Sequence, residues 1–202
     1  MNPARRPRST RRWPALFLCF CAGAAQAAPR FEPATDSLAP AEAEATRQLL
    51  AEAVARLPAA WSDALDARID VEWRADLPAE VHGRSYLHRM VLDRRLLEDW
   101  MARPAGAGLE DPATRAVQAA VLHELAHFYD RTPQGGLSRD PRLLDLAGWQ
   151  VRPMRFGLRT SRNDFRDRRP DPYELESPIE FVAVNLEHFL LDSDYACRRP
   201  AL

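Results

Sequence analysis

One stretch of this 202-residue chain is predicted to form a helix that is apolar almost all the way round. Asp111 followed by Pro112 is typical of a helix start, with an N-cap residue before a proline at the first helical position. The apolar pattern continues to about Arg131. A helix without a polar face has to be covered on every side, so we expect it at the centre of the fold, with the other elements packed around it.

The rest of the sequence predicts an α+β fold, mostly helical with a small sheet, in which residues 28–202 form a single domain. Hydrophobic periodicity separates the remaining elements, with helices predicted at 41–57, 96–101, 143–146 and 177–191 and strands at 69–73 and 85–93. The connection from Thr132 to Ser177 shows little regular pattern. Connections of this length inside a compact domain are often functional.

Residues 1–27 are typical of a cleavable secretory signal peptide. Five arginines precede an apolar run, Trp13–Ala25, and an Ala-Gln-Ala sequence at 25–27 matches a small-x-small cleavage site. The run is too short to span a bilayer comfortably, and no other run predicts a transmembrane segment. We expect a periplasmic or secreted protein, with an uncleaved anchor as the alternative. The Arg11-Arg12 pair leaves both the general secretory and the twin-arginine export routes open.

Charge and cysteine content narrow the function classes. Without the signal peptide the chain has 23 arginines and no lysine against 29 acidic residues, a formal charge of −6. An acidic balance of this kind disfavours nucleic acid as a partner. Cys197 is the one cysteine outside the signal peptide, so no intrachain disulfide is expected in the exported domain.

The residues that carry chemistry lie on the central helix, as His123-Glu124-Leu125-Ala126-His127. Histidines four residues apart stand on the same helix face, so both imidazoles can reach one metal ion, and the glutamate between them can accept a proton from metal-bound water. Chance predicts roughly 0.008 such motifs in a chain of this composition. The alternative is a pair of core histidines hydrogen-bonded to backbone or carboxylate groups.

A catalytic zinc site needs a third protein ligand and an open position. No third histidine follows the motif closely, so the candidates lie on the helix predicted to begin at Ser177. Glu180 is favoured, and Glu187 and His188 on the same helix stay open as alternatives. The sequence from Ser177 to Glu180 also matches a capping box, which would instead commit the glutamate to the helix start.

The motif at 123–127, followed after a long connection by a helix with Glu-Phe-Val-Ala at 180–183, resembles the gluzincin metallopeptidases. The variety it most resembles is the anthrax lethal factor-like catalytic domain, over about Val117–Phe189. The resemblance implies that His123, His127 and Glu180 bind Zn²⁺ and that Glu124 is the catalytic base.

The resemblance also assigns a tyrosine seven residues before the ligand glutamate, here Tyr173, to stabilising the reacting oxygen. From the residues alone, Tyr173 could equally anchor a proline-rich loop. Where the family often has a second glutamate, four residues after the ligand, this chain has Val184. Other side chains are therefore candidates for bracing the site: Asp130, Asn185 and Glu187.

The fold implied by the resemblance is a zincin-like domain. In it a sheet edge, expected around Leu87–Leu92, lies beside the active-site helix and binds a peptide as an added strand. The implied function is an exported zinc-dependent hydrolase, a metallopeptidase acting on a peptide or protein substrate in the cell envelope or outside. The alternative is a non-catalytic binding or structural protein of the envelope. Glu124 favours the enzyme, because a binding protein has no use for a base there. The oligomeric state and the native metal stay open.

Seven arginines lie in the long connection, interrupted by Asp164 and Asp167. They are Arg152, Arg155, Arg159, Arg162, Arg166, Arg168 and Arg169. Two interpretations stay open. The arginines could form a wall that recognises an anionic substrate or lipid surface, since guanidinium groups match carboxylates and phosphates. They could equally belong to a solvated loop that pairs partly with its own aspartates.

Overall fold

The computed structural model describes residues 29–33, 38–65, 68–149, 151–152, 155–156 and 173–195. The predicted signal peptide, Cys197 and the arginines from 159 to 169 lie outside the described residues, as do the side chains of Arg152 and Arg155. The described part is α+β and mostly helical with a small sheet, as the sequence predicted.

The predicted helices and strands occur in the expected order, and the structure adds short helices and strands that were not predicted. The helices are α1 (Pro40–Val54), α2 (Ala59–Ala64), α3 (Arg94–Ala102), α4 (Pro112–Asp130), α5 (Pro141–Leu146) and α6 (Pro178–Leu191). The strands are β1 (Arg30–Pro33), β2 (Arg68–Arg74), β3 (Gly83–Ser85), β4 (Arg89–Asp93), β5 (Val151–Arg152) and β6 (Arg155–Phe156). Short 3-10 turns lie at Leu137–Arg139 and Tyr173–Leu175.

The main sheet has four strands in the order β1-β2-β4-β3. The first three are parallel, and β3 runs antiparallel to β4, with Arg84 opposite Val91. On β2 the alternating residues Ile69, Val71 and Trp73 are buried, so one face of the sheet packs on the core. At one edge of the sheet lies β3, the short antiparallel strand.

The position of that edge strand corrects a sequence prediction. An edge within Leu87–Leu92 is wrong, because β4 covers most of those residues and lies inside the sheet between β2 and β3. The stretch predicted as one strand over 85–93 is a hairpin whose connection leaves Leu87 74% exposed. The apolar residue in this turn extended the β-like sequence pattern. The strand at this edge of the sheet, Gly83–Ser85, has only three residues.

Helix α4 lies at the centre, as its apolar sequence predicted. Its N-cap Asp111 accepts a hydrogen bond from the Thr114 backbone N–H at 2.7 Å, and every residue from Ala120 to Asp130 is buried. The elements packed against α4 are α1, α3, α6, β3 and β4. Within the described residues no helix is both long and apolar enough to cross a membrane.

Helix α6 packs along α4 in the antiparallel direction. Arg115, near the start of α4, donates to the Leu191 carbonyl at 3.1 Å and pairs with Asp192, both at the end of α6. The opposite end of α6 begins at Ser177, whose hydroxyl accepts from the Glu180 backbone N–H at 3.3 Å. This arrangement places the first turn of α6 beside the middle of α4.

Candidate metal centre

The structure brings together three of the residues singled out from the sequence. Glu180 Oε2 on α6 lies 3.1 Å from His123 Nε2 and 3.4 Å from His127 Nε2, both on α4. The ligand atoms of this triad, His123, His127 and Glu180, lie within 4.8 Å of one another, and both histidines are buried. Two imidazole nitrogens and one carboxylate oxygen are the donor set of catalytic zinc sites that keep a fourth position for water.

Glu180 does not act as the second half of a capping box. The Ser177 hydroxyl still accepts from the Glu180 backbone N–H, so the N-cap forms. The Glu180 carboxylate, however, is turned to the two histidines of α4. The side chain thus joins two helices that are separated by the long connection.

Two other candidates on α6 occupy different places. Glu187 Oε2 lies 3.8 Å from His123 Nδ1, on the side of the ring away from Glu180. His188 Nδ1 lies 2.8 Å from Asp192 Oδ2, so this histidine belongs to the far end of the helix. Glu187 is therefore placed to orient the His123 ring through its second nitrogen, the usual arrangement behind a metal-bound histidine.

The other two candidates for bracing the site have different partners. Asp130 accepts from the Ser138 backbone N–H at 2.9 Å and from the Ser138 hydroxyl at 2.7 Å. Asn185 donates to Glu174 at 2.9 Å and accepts from the Tyr195 hydroxyl at 3.0 Å. These bonds fix the loop after α4 and the turn before α6, so they support the elements that carry the triad and do not touch its histidines.

The electrostatics of the triad favour a bound cation. Burial works to lower the pKa of His123, but the hydrogen bond to Glu180 and the nearby carboxylate of Glu187 outweigh it and raise that pKa to about 9. Burial likewise works to raise the pKa of Glu180, and the two histidines hold it well below its usual range. The Glu180 carboxylate thus favours a positive charge next to it, on the His123 ring. A divalent cation bound between these side chains would supply that positive charge instead.

Glu124 sits beside the triad, under the edge strand. Its side chain is only 4% exposed, and burial raises its pKa although His123 and His127 oppose the shift. Its Oε2 atom is buried without a hydrogen-bond partner in the described part of the chain. A buried carboxylate oxygen left in this state is suited to hold a water molecule, and a raised pKa suits a general base.

Three residues close to Glu124 were not predicted from the sequence: Gly83, Ser85 and Arg131. A Cβ atom added at Gly83 would lie 2.8 Å from Glu124 Oε1, so only glycine lets β3 pass this close to the base. Arg131 donates to the Ser85 hydroxyl at 3.3 Å and to the Tyr86 carbonyl at 3.0 Å, which ties β3 to the end of α4. A glycine at the start of a short β-like stretch was the one available signal.

Tyr173 lies next to the triad, in the turn that precedes α6. Its ring centroid is 5.7 Å from that of His123, and the side chain is 44% exposed. Partial burial and a hydrogen bond to Glu180 raise the pKa of its hydroxyl above the usual range. The hydroxyl therefore stays protonated and able to donate.

A cavity of about 630 Å³ opens beside His123 and Glu124, between α4, α6 and the segment that leads into β3. Tyr173 lies at its wall. Glu124, His123 and Tyr173 thus line one cleft that is large enough for part of a peptide.

A family model described as a domain of unknown function (DUF7844) matches residues 30–135 and 132–202 of the chain. Neither a curated protein nor a solved structure shows significant similarity to it. The family description names no activity, so the chemistry has to be argued from the site.

Proposed function

Because the chain belongs to the family of domains of unknown function DUF7844, whose description names no activity, we propose a function from the site: a zinc-dependent hydrolase, and specifically a metallopeptidase of the zincin type. The observation that carries the proposal is the convergence of His123 and His127 on α4 with Glu180 on α6, within reach of one cation. A buried glutamate with an unpartnered oxygen stands next to that cluster, which is what a hydrolase needs and a structural site does not.

The proposed reaction follows from where the residues lie. Zinc held by the triad would act as a Lewis acid on a carbonyl and would lower the pKa of water. Glu124 accepts the proton of the attacking water and passes it to the leaving amine. The Tyr173 hydroxyl donates a hydrogen bond to the oxygen on which negative charge develops. Glu187 keeps the His123 ring oriented throughout.

The position of β3 supports a peptide as the substrate. This strand lies at the edge of the sheet, antiparallel to its neighbour, and it packs directly against α4 beside Glu124. An extended peptide that pairs with β3 would pass over the base and the triad. We propose that the domain has a zincin-like fold on this ground, and that it acts in the periplasm or outside the cell, as the signal peptide predicts.

The test is metal analysis of purified residues 28–202, followed by digestion of a mixed peptide library. We expect one equivalent of zinc in the wild-type domain and in the control His88→Ala, which removes an exposed histidine that is not among the three candidate ligands. His127→Ala should lose the metal. Zinc retained by His127→Ala, or its absence from the wild-type domain, would refute the proposed centre. One equivalent of zinc without any cleavage would favour the non-catalytic envelope protein.

A further inference from the structure

The cleft beside the triad has a floor of small apolar side chains. They are Ala116, Ala119 and Ala120 on α4 and Val184 on α6. The three alanines lie on one face of α4 together with His123, so the floor leads away from the metal centre along the helix. Small residues leave room there for a long side chain that lies flat, with its apolar part covered.

The walls of the same cleft are acidic. Glu80, Glu176 and Glu187 line it, and among the residues that the structure describes no arginine does. Glu80 and Glu176 are exposed and have neither an ion pair nor a side-chain hydrogen bond with any residue that the structure describes. The basic groups at the wall are His82 and His188, and the second of these is paired with Asp192.

A second observation indicates a ligand at this cleft. Glu124 lines the same cavity, and its Oε2 atom is buried without a hydrogen-bond partner among the described residues. A buried acceptor in this state costs free energy unless a ligand or water satisfies it. The carboxylates at the wall therefore surround a place where a bound molecule is expected.

We propose that the cleft selects substrates that carry an arginine or lysine side chain next to the bond that is cut. The apolar stem of such a side chain fits the floor of alanines and Val184, and its cationic end reaches the carboxylates of Glu80 and Glu176. The inference rests on the proposed function, because it assigns the substrate class of the same cleft.

The test compares peptides that differ at one position on either side of the scissile bond: arginine, its neutral isostere citrulline, or glutamate. All peptides are acetylated, so the side chain is the only cation. Binding is measured by fluorescence anisotropy on Glu124→Gln protein, with and without zinc, and cleavage is measured on the wild-type protein. We expect arginine to be preferred over citrulline by about 5-fold or more, and the preference to shrink in about 0.5 M NaCl.

Variants of the wall separate charge recognition from a general defect. The double change Glu80→Gln and Glu176→Gln should remove the preference for arginine, and Glu176→Arg should turn it toward glutamate. Glu44→Gln is the matched control, since it removes an exposed carboxylate on α1 outside the cleft, and it should keep the preference. Reversal by Glu176→Arg is a gain for one peptide that a misfolded protein cannot show.

The outcomes distinguish this inference from the proposed function. Equal binding of the arginine and citrulline peptides, or tighter binding of glutamate, overturns the cationic specificity. A preference for arginine in binding with no cleavage of any peptide supports the specificity and refutes the hydrolase. Cleavage without any preference refutes the specificity and supports the hydrolase.

Discussion

The two ends of the α4–α6 pair differ in how their titratable side chains are paired. At one end, Asp192 pairs with Arg115 and also forms a hydrogen bond with His188, so these three side chains satisfy one another. At the other end, three groups converge on one point, while Glu124 Oε2 and His127 Nδ1 lack hydrogen-bond partners among the described residues. We call the end at Arg115, His188 and Asp192 the locked end, because its side chains pair with one another. The end at His123, His127 and Glu180 is the open end, because it is arranged for a ligand.

The difference separates buried clusters that hold the fold together from buried clusters that indicate a functional site. Ion pairs that close on themselves hold helices in register, and little is gained by bringing in another molecule. A cluster that leaves buried atoms unpartnered keeps a cost that a ligand can remove. Substitutions at one end should therefore change zinc binding or stability without the same effect at the other end.

The largest effect is expected from Glu180→Ala at the open end. Removal of one of three protein ligands should lower zinc affinity by at least about 1,000-fold, and it should reduce the stability that bound metal confers on the fold. Competitive zinc titration at one fixed pH measures the affinity. Glu187→Ala is the matched control, since it loses a carboxylate on the same helix, and it should keep zinc with an affinity reduced by about 10-fold. Loss of zinc in the control but not in Glu180→Ala would exchange the two roles.

Glu124→Gln should abolish hydrolysis while leaving the metal in place. The amide keeps the shape of the side chain but cannot accept the proton of the attacking water, so the rate should fall by about 100-fold or more. Zinc content and melting temperature should stay near those of the wild type, because Glu124 is not among the three ligands. Parallel measurements of cleavage, zinc content and thermal unfolding check this. Activity above a few per cent would contradict the assigned base.

Parts of this arrangement follow from local sequence. Asp111 and Ser177 each precede a proline, and the helices predicted from these caps are the ones that the structure shows. The spacing of His123 and His127 places both rings on one face of any helix, without reference to the rest of the chain. Sequence signals within four or five residues were therefore sufficient to predict the two helices and two of the three candidate ligands.

The rest depends on packing between distant segments. Whether Glu180, Glu187 or His188 meets the histidines is decided by the register of α6 against α4, which no single segment encodes. The edge strand is only Gly83–Ser85, and its contact with Glu124 belongs to the tertiary structure. Three residues give too few alternations to predict a strand, so its location at 87–92 was wrong.

The open end should respond to pH when metal is removed. Burial opposes protonation of His123, yet the carboxylates of Glu180 and Glu187 raise its pKa to about 9, above its ordinary value near 6.5. Protonated His123 therefore stabilises the metal-free fold fully below about pH 6.5, and the contribution, on the order of 1–3 kcal/mol, is lost as pH rises through 9. Zinc competes with that proton, so its affinity should increase by about tenfold per pH unit over the same range.

Denaturant unfolding of chelator-treated protein between about pH 6 and 9.5 measures this dependence. Glu180→Gln serves as the comparison, because it removes the charge that holds the proton on His123 while keeping the shape of the side chain. The variant should unfold with a flatter pH profile. Equal profiles for the two proteins would show that the His123 and Glu180 side chains are not coupled.

The smallest effect is expected at the locked end. Asp192→Asn removes a largely buried charge that Arg115 and His188 share, and it should lower the free energy of unfolding by about 1–2 kcal/mol. Zinc affinity should not change, because the pair lies at the opposite end of the helices from the triad. Glu44→Gln breaks an exposed ion pair with Arg47 on α1 and should cost less than about 0.5 kcal/mol. If Asp192→Asn weakened zinc binding as strongly as it weakened the fold, the two ends would form one coupled network, and the distinction between a locked and an open end would not hold.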